Sequence, residues 1–326
     1  MKAVVYEKYG SPDVLQLKEV VKPIPKDNEV LVKVYAASVN DWDWGLLRGM
    51  PFVNRLISGL LKPRIKTIGC DIAGQVEAIG RNVKQFKISD EVFGDLSGCG
   101  FGAFAQYVCA SENALEMKPA GMTYEEAAAI PQAAVLALQG LRKGQIQPGL
   151  KVLINGAGGG AGTFAVQIAK SMGTEVTGVD STRKLDIIRS IGADHVIDYT
   201  QKDFTKSRKR YDLILDMAAH HSIFDYKRAL STKGVYVMEG GSNAQLFQGF
   251  ILGPLISITT SKKMGILMHK PNKDLDLMKE FFKAGKVKPI IDKSYPLSKI
   301  AEALQYFGKG LNRGKIVITV EHNNKP

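Results

Sequence analysis

The stretch Val152-Leu-Ile-Asn-Gly-Ala-Gly-Gly-Gly-Ala-Gly162 decides the fold. A short apolar run passes without a break into a glycine-rich turn, and Thr163-Phe-Ala-Val-Gln-Ile-Ala-Lys follows with helical character. Strand, glycine turn and helix in that order form the opening of a nucleotide-binding unit. Glycine there lets backbone N–H groups come close to a pyrophosphate, and the positive end of the helix dipole favours its charge. In the G-x-G-x-x-G frame the positions are Ala157, Gly159 and Gly162, so the first glycine is replaced. The spacing assigns Gly156, Ala157, Gly158, Gly159, Gly160, Ala161 and Gly162 to a dinucleotide phosphate site. A glycine fingerprint alone is weak. This one has the required strand and helix, and acidic Asp180 lies 18 positions beyond Gly162.

Asp180 is followed by Ser181-Thr182-Arg183-Lys184. A carboxylate at this point accepts hydrogen bonds from an adenosine ribose and repels a 2′-phosphate. Ser181, Arg183 and Lys184 offer the donors that a 2′-phosphate needs. Several donors outweigh one carboxylate that can turn away, which favours NADP(H) over NAD(H). Downstream, Gly234-Val-Tyr-Val-Met238 ends in Glu239-Gly240-Gly241. Paired glycines at the carboxyl edge of a parallel sheet let a flat ring approach the backbone, so Gly240 and Gly241 join the expected cofactor site. A simple turn is the alternative.

The rhythm continues outward from this unit. Strands are expected at Lys151–Asn155, Glu175–Val179, His195–Tyr199, Asp212–Met217, Gly234–Glu239 and Lys263–Met268, with helices at 161–171 and 183–191 between the first of them. That alternation implies a parallel sheet with right-handed crossovers. Residues 1–120 read differently: short alternating runs such as Glu29–Tyr35 and Ala73–Ile79 are separated by Gly, Pro and Asn turns. Thr123 with Glu126 is a capping box opening a helix near 124–129. Another helix is expected around 273–284, then strand and helix signals to Val320. No internal repeat or low-complexity segment is visible.

With 326 residues, the chain has room for about two domains at roughly 150 residues each. Its 45% apolar and 23% charged residues exclude a disordered or collagen-like chain. Three cysteines, Cys70, Cys99 and Cys109, cannot make a disulfide framework. The five histidines all lie at or after His195, which leaves the first half poor in metal ligands. The N-terminus lacks a signal-peptide core and no apolar run reaches a membrane-spanning ~18 residues, so a soluble, cytoplasmic protein is expected. The net charge of +12 is densest at Lys206-Ser-Arg-Lys-Arg210. Without interleaved aromatic residues, this reads as a solvated loop rather than a nucleic-acid surface.

Further motifs carry a family resemblance. They are Ala36-Ala-Ser-Val-Asn40 with Asp43 and Arg48-Gly49, Gly69-Cys-Asp-Ile-Ala-Gly-Gln-Val-Glu-Ala-Ile-Gly80, Asp90-Glu-Val-Phe-Gly94 and Gly102-Ala-Phe-Ala-Gln-Tyr-Val108. Gly192-Ala-Asp-His-Val-Ile-Asp-Tyr199 and Arg313-Gly-Lys-Ile-Val-Ile318 complete the set. In order and spacing the chain resembles the medium-chain dehydrogenase/reductase superfamily, on its zinc-independent quinone oxidoreductase side. The resemblance implies an α/β protein: a GroES-like, β-rich catalytic domain from residues 1–122 and 271–326, with a doubly wound Rossmann domain, 123–270, inserted. It also implies a homodimer formed through the last Rossmann strand.

The same resemblance locates the zinc positions of the alcohol dehydrogenases at Asn40, Cys70 and Gln132. One thiol and two amides do not make a tetrahedral zinc site, so no metal is expected. Cys70 reads as a small buried apolar residue. Without metal or base, the fitting acceptors are quinones and α,β-unsaturated carbonyls, which need only a hydrogen bond to the oxygen that gains charge. The resemblance puts Asn40 beside the nicotinamide, where its amide is expected to be that donor; the alternative is a turn-stabilising asparagine. Asp43 either orients Asn40 or pairs with Arg48. Trp42 and Trp44 are candidates for the pocket wall. Leu136 stands where the family usually has a threonine near the nicotinamide. Residues 50–66 carry Phe52, Val53, Leu56, Ile57, Leu60 and Leu61 at helical spacing, either a lid over an apolar substrate or a helix packed on the core. The expected activity is therefore an NADPH-dependent, zinc-independent reductase of quinones or activated alkenes. A cofactor-binding regulatory or RNA-binding protein, and an alcohol dehydrogenase, are the alternatives.

Overall fold

The computed structural model describes residues 1–322. The chain divides into two compact units, one from Met1–Val135, Pro271–Lys283 and Ile291 onward, the other from Leu136–Lys270 and Ala284–Ile290.

In the second unit, six parallel strands lie in the order His195–Asp198, Glu175–Asp180, Lys151–Asn155, Tyr211–Asp216, Leu230–Met238 and Lys263–Ile266. The chain order reverses between Lys151–Asn155 and Tyr211–Asp216, the switch point at which doubly wound sheets bind ligands. Val152, Leu153, Ile154, Leu213, Ile214 and Leu215 are fully buried, as a sheet covered on both faces requires. The helix Gly160–Ser171 buries Phe164, Ala165, Val166, Ile168 and Ala169. A helix also spans Asn243–Thr259, running through Pro254. Gly249 and Gly253 let it lie against Ile266 and Met264, where a Cβ would come within 2.8 Å of Ile266 Cγ1 or 2.9 Å of the Met264 carbonyl oxygen. Its other face leaves Phe247, Phe250, Leu255 and Ile258 exposed.

The first unit is built on a seven-stranded sheet. Ile291–Pro296, Lys315–Thr319, Glu29–Ser38, Asp71–Ile79, Glu91–Asp95 and Glu116–Met117 follow one another, and Tyr107–Ser111 pairs with Glu29–Ser38. Val30, Val32, Val34, Leu46, Ile72, Val92, Phe104 and Ile318 belong to one core. Thr123 and Glu126 close the capping box reciprocally at 3.1 and 3.0 Å. The helix they open, Tyr124–Ala128, packs on Glu29–Ser38 and Asp71–Ile79. This packing carries the first unit through Val135, past the expected boundary at 122.

The segment after Met50 forms a short helix, Val53–Ser58, with its polarity inverted. Asn54 and Ser58 are buried, whereas Phe52, Val53, Leu56, Leu60 and Leu61 face solvent; the side chain of Ile57 lies outside the described residues. Ser58 Oγ donates to the Asn54 carbonyl and meets Tyr9 Oη at 2.8 Å, so polar bonds rather than apolar packing hold the inner face. Among the described residues, no helix is long and apolar enough to cross a membrane.

Candidate functional site

Chemistry-bearing residues gather in two places, one in each unit. In the second unit, the turn after Asn155 is closed by Gly156 and Ala157 N–H groups donating to the Val179 carbonyl at 2.9 and 3.1 Å. Gly156 has φ +83°, and a Cβ on Gly162 would stand 2.1 Å from the Gly156 oxygen. Both positions therefore require glycine. Gly159 caps the helix Gly160–Ser171, and a Cβ there would only touch Gly156 oxygen at 3.4 Å. The first-turn N–H groups of Gly160, Ala161 and Gly162 have no acceptor within the helix, which leaves them available to an anion.

Asp180, at the end of the neighbouring strand, is tied into this turn. Its Oδ2 accepts the Gly158 N–H at 2.9 Å, its Oδ1 accepts the Ser181 N–H at 2.8 Å, and Lys184 Nζ lies 3.7 Å from Oδ1. Lys184 is itself buried, so the ammonium expected to face a phosphate is folded onto Asp180, while Arg183 is exposed. Asp216 ends the strand across the switch point and accepts from Asn155 Nδ2 at 2.8 Å and Tyr236 Oη at 2.9 Å. Burial pushes its carboxyl up despite these donors. Gly240 and Gly241 lie against Met217–Ala219: a Cβ on them would meet the Met217 oxygen at 2.8 Å or Ala219 Cβ at 3.0 Å. Close packing on Met217–Ala219 is thus one requirement for glycine at both positions. Glu239, just before them, is a residue the sequence reading left without a role. Both its carboxyl oxygens are enclosed without a hydrogen-bond partner beside Gly140, and burial, then the nearby Asp216, raises its pKa well above the usual range. Leu136 is half-buried on the helix Pro131–Lys143, between fully buried Val135 and Ala137.

In the first unit, one rung of the sheet sets Ser38 opposite Asp71 and Asp71 opposite Asp95. The neighbouring strand pairs Val317 with Ser38, which puts Lys315, two residues earlier, on the same face. All four polar side chains are buried. Asn40 precedes the helix Asp41–Arg48 and joins them: its Nδ2 donates to Asp71 Oδ2 at 2.9 Å, with Ser38 O at 3.3 Å and Cys70 Sγ at 3.2 Å also in reach. Its Oδ1 accepts from Lys315 Nζ. The amide expected to be a free donor is a junction, with both hydrogens and its oxygen engaged inside the protein. Asp43 reaches back to the Asn40 N–H at 2.8 Å and accepts the Gly69 N–H at 3.0 Å. It orients the Asn40 backbone instead of pairing with Arg48, which lies over the Trp44 ring at 4.9 Å. Trp44 fills the space over Gly308, and Trp42 is half-buried 6.3 Å from Phe101, both as packing residues. Burial drives Asp43 well above the normal carboxylate range and Asp71 to about 6, with Lys315 pulling both down.

The alcohol dehydrogenase GroES-like domain model matches residues 26–120, and the model described as zinc-binding dehydrogenase matches 191–318. The chain is 32% identical over 98% of its length to 2-methylene-furan-3-one reductase of Solanum lycopersicum, covering 79% of that protein. It is 34% identical to the chloroplast envelope quinone oxidoreductase homolog of Arabidopsis thaliana, with 98% of each chain covered. The chain belongs to the medium-chain dehydrogenase/reductase superfamily. Within it the quinone oxidoreductase-like branch fits best: the solved quinone oxidoreductase from Coxiella burnetii superposes with a TM-score of 0.88 at 28% identity, covering 98% of this chain and 99% of that one.

Zinc-bearing members of this superfamily set the question for the Asn40–Cys70 corner. Asn40 and Cys70 do meet, but Asn40 Oδ1 faces an ammonium and its nitrogen faces a carboxylate. Gln132 contributes a backbone N–H to Asp71 Oδ1 at 3.0 Å. A donor set already saturated by Lys315 does not fit zinc. Ser38, Asp71, Asp95 and Lys315 were missed in the sequence, although a lysine opening the apolar run Lys315-Ile-Val-Ile318 is the kind of signal that marks a buried charge.

Proposed function

We propose that this protein is a metal-independent, NADPH-dependent reductase of quinones or α,β-unsaturated carbonyl compounds. The observation that carries the reading is the Gly156–Gly162 turn, whose helix N-terminus fits a pyrophosphate and whose neighbouring Asp180 is occupied by Gly158, Ser181 and Lys184. A carboxylate so engaged has less claim on a ribose hydroxyl, and exposed Arg183 supplies a donor for a 2′-phosphate. When bound, the dihydronicotinamide supplies a hydride. The chain's own residues hold the pyrophosphate at Gly159–Gly162 and accommodate the ring near Gly240 and Gly241.

The acceptor is named by relatives: two are a furanone reductase and a quinone oxidoreductase homolog, and a third is NADPH-dependent alkenal/one oxidoreductase of Arabidopsis thaliana. Such electron-poor substrates require no base or metal to remove a proton first. Asn40 and Asp43 act as positioning residues in this reading, and exposed Phe52 offers apolar surface within the first unit. The edge strand Lys263–Ile266 suits pairing with a second copy.

The test is a panel of quinones and enones with NADPH and NADH. Turnover with a higher kcat/KM for NADPH is expected. Protein that binds NADPH but oxidises it with no member of the panel refutes the enzyme reading, and salt-sensitive RNA binding displaced by NADPH would favour a regulatory one.

A further inference from the structure

The cluster in the first unit has the shape of a metal site. One carboxylate oxygen each from Asp71 and Asp95 and the Cys70 Sγ all lie within 4.8 Å of one another, and all three residues are buried. Asp43 Oδ2 stands 3.9 Å from the same thiol. Asp95 Oδ1 accepts the Ser97 N–H at 2.7 Å, but its Oδ2 is enclosed with no hydrogen-bond partner. Facing this group is the Lys315 ammonium. Lys315, 2% exposed, places Nζ 3.6 Å from Asp71 Oδ2 and 3.3 Å from the Val39 oxygen, and bonds Asn40 Oδ1. Those three acceptors match the three hydrogens of an ammonium.

Buried carboxylates need a compensating positive charge, and a lysine or a metal ion can provide it. The two are interchangeable here in net charge. A divalent ion taking Cys70 as thiolate displaces one thiol proton, so it adds the same single positive charge that the ammonium brings. A thiol with two carboxylates favours a borderline ion such as Zn²⁺ or Co²⁺ over Mg²⁺ or Ca²⁺.

We propose that Lys315 is the resident cation of this metal-shaped site, and that its ammonium keeps a divalent ion from the Cys70, Asp71 and Asp95 ligands, which bind one once the ammonium is removed. The inference rests on the metal-independent reading above and supplies its determinant. Lys315 arrives on a strand fixed by pairing with Glu29–Ser38, so the cation is delivered by the fold and no metal supply is involved.

The experiment is a Co²⁺ titration of the full chain, followed by the thiolate-to-cobalt absorption band. Wild type is expected to show no band at micromolar Co²⁺. Lys315→Ala is expected to take up one equivalent at least 100-fold more tightly, and Lys315→Ala/Cys70→Ser to lose the band. A band from wild type at micromolar Co²⁺, or none from folded Lys315→Ala, overturns the proposal. If Lys315→Ala does not fold alone, it is refolded with and without Co²⁺: recovery with the metal supports the proposal and failure in both overturns it. The spectra involve no turnover. Wild type that reduces no quinone or enone therefore refutes the functional reading while this result stands.

Discussion

Replacing Gly162 by alanine sets two effects of opposite sign against each other. In a helix, alanine is better than glycine by about 1 kcal/mol, so on propensity alone the variant gains stability. The contacts say otherwise. The new Cβ lies 2.1 Å from the Gly156 oxygen and 2.7 Å from Ala157 Cα, all backbone atoms that no rotamer change can move. An ordinary contact of about 3.5 Å requires the helix Gly160–Ser171 to withdraw by roughly 1.4 Å. Overpacking of this kind costs about 1–3 kcal/mol, and it also moves the N–H groups of the first turn away from the phosphate position. Gly162→Ala should therefore lose about 0–2 kcal/mol net and bind NADPH at least ~10-fold more weakly. Gly159→Ala is the internal comparison. Its Cβ meets nothing closer than 3.4 Å and its φ of −84° suits any residue, so stability should hold while affinity falls. Thermal denaturation and NADPH fluorescence titration read the two quantities separately. A Gly162→Ala protein with unchanged or higher Tm and wild-type affinity would refute the reasoning.

Glu239→Gln tests the enclosed carboxyl at the sheet edge. Because burial raises the folded pKa above the unfolded one, the protonated acid favours the fold at low pH, and that contribution is lost as pH rises through the folded value. The variant should remove up to ~1.4 kcal/mol per pH unit of this decline, seen as a flatter dependence of denaturation midpoint on pH; parallel curves would exclude the assignment. Tyr236→Phe deletes the Oη donor to Asp216 and should cost about 1–2 kcal/mol in urea unfolding, with no change meaning that Asp216 is satisfied without it. Arg183→Ala should lower kcat/KM for NADPH about 10-fold and leave NADH nearly unchanged; an equal loss with both cofactors would remove Arg183 from phosphate recognition.

The sequence was most legible where local rules and the fold agree. The strands Lys151–Asn155 and His195–Asp198 and the helix Tyr124–Ala128 end within one residue of expectation, because apolar runs, glycine turns and a capping box are local signals. The helix Asn243–Thr259 was hidden, since Pro254 argues against it and its support is tertiary: Gly249 and Gly253 on Lys263–Ile266, and Leu246, Leu252 and Ile256 in the core. The stripe at Phe52–Leu61 is not packed on the core, one of its two expected readings, because spacing identifies a face but not which way it points. The polar cluster was the least visible. Asn40, Asp71, Asp95 and Lys315 are distant in sequence, and no local pattern says that four strands bring them together.

Asn40 and Lys315 are 275 residues apart, and that separation has a consequence for how the molecule is made. During synthesis, the strands bearing Asp71 and Asp95 leave the ribosome before Leu136–Lys270, and the lysine that compensates them follows it. All of Leu136–Lys270, which has its own core, is available to fold in the interval. The first unit spends that time with its acidic rung lacking its permanent counter-charge. Its closure is tied to Lys315–Thr319, so a chain cut before Lys315 loses the strand that joins Ile291–Pro296 to the sheet and its internal cation together.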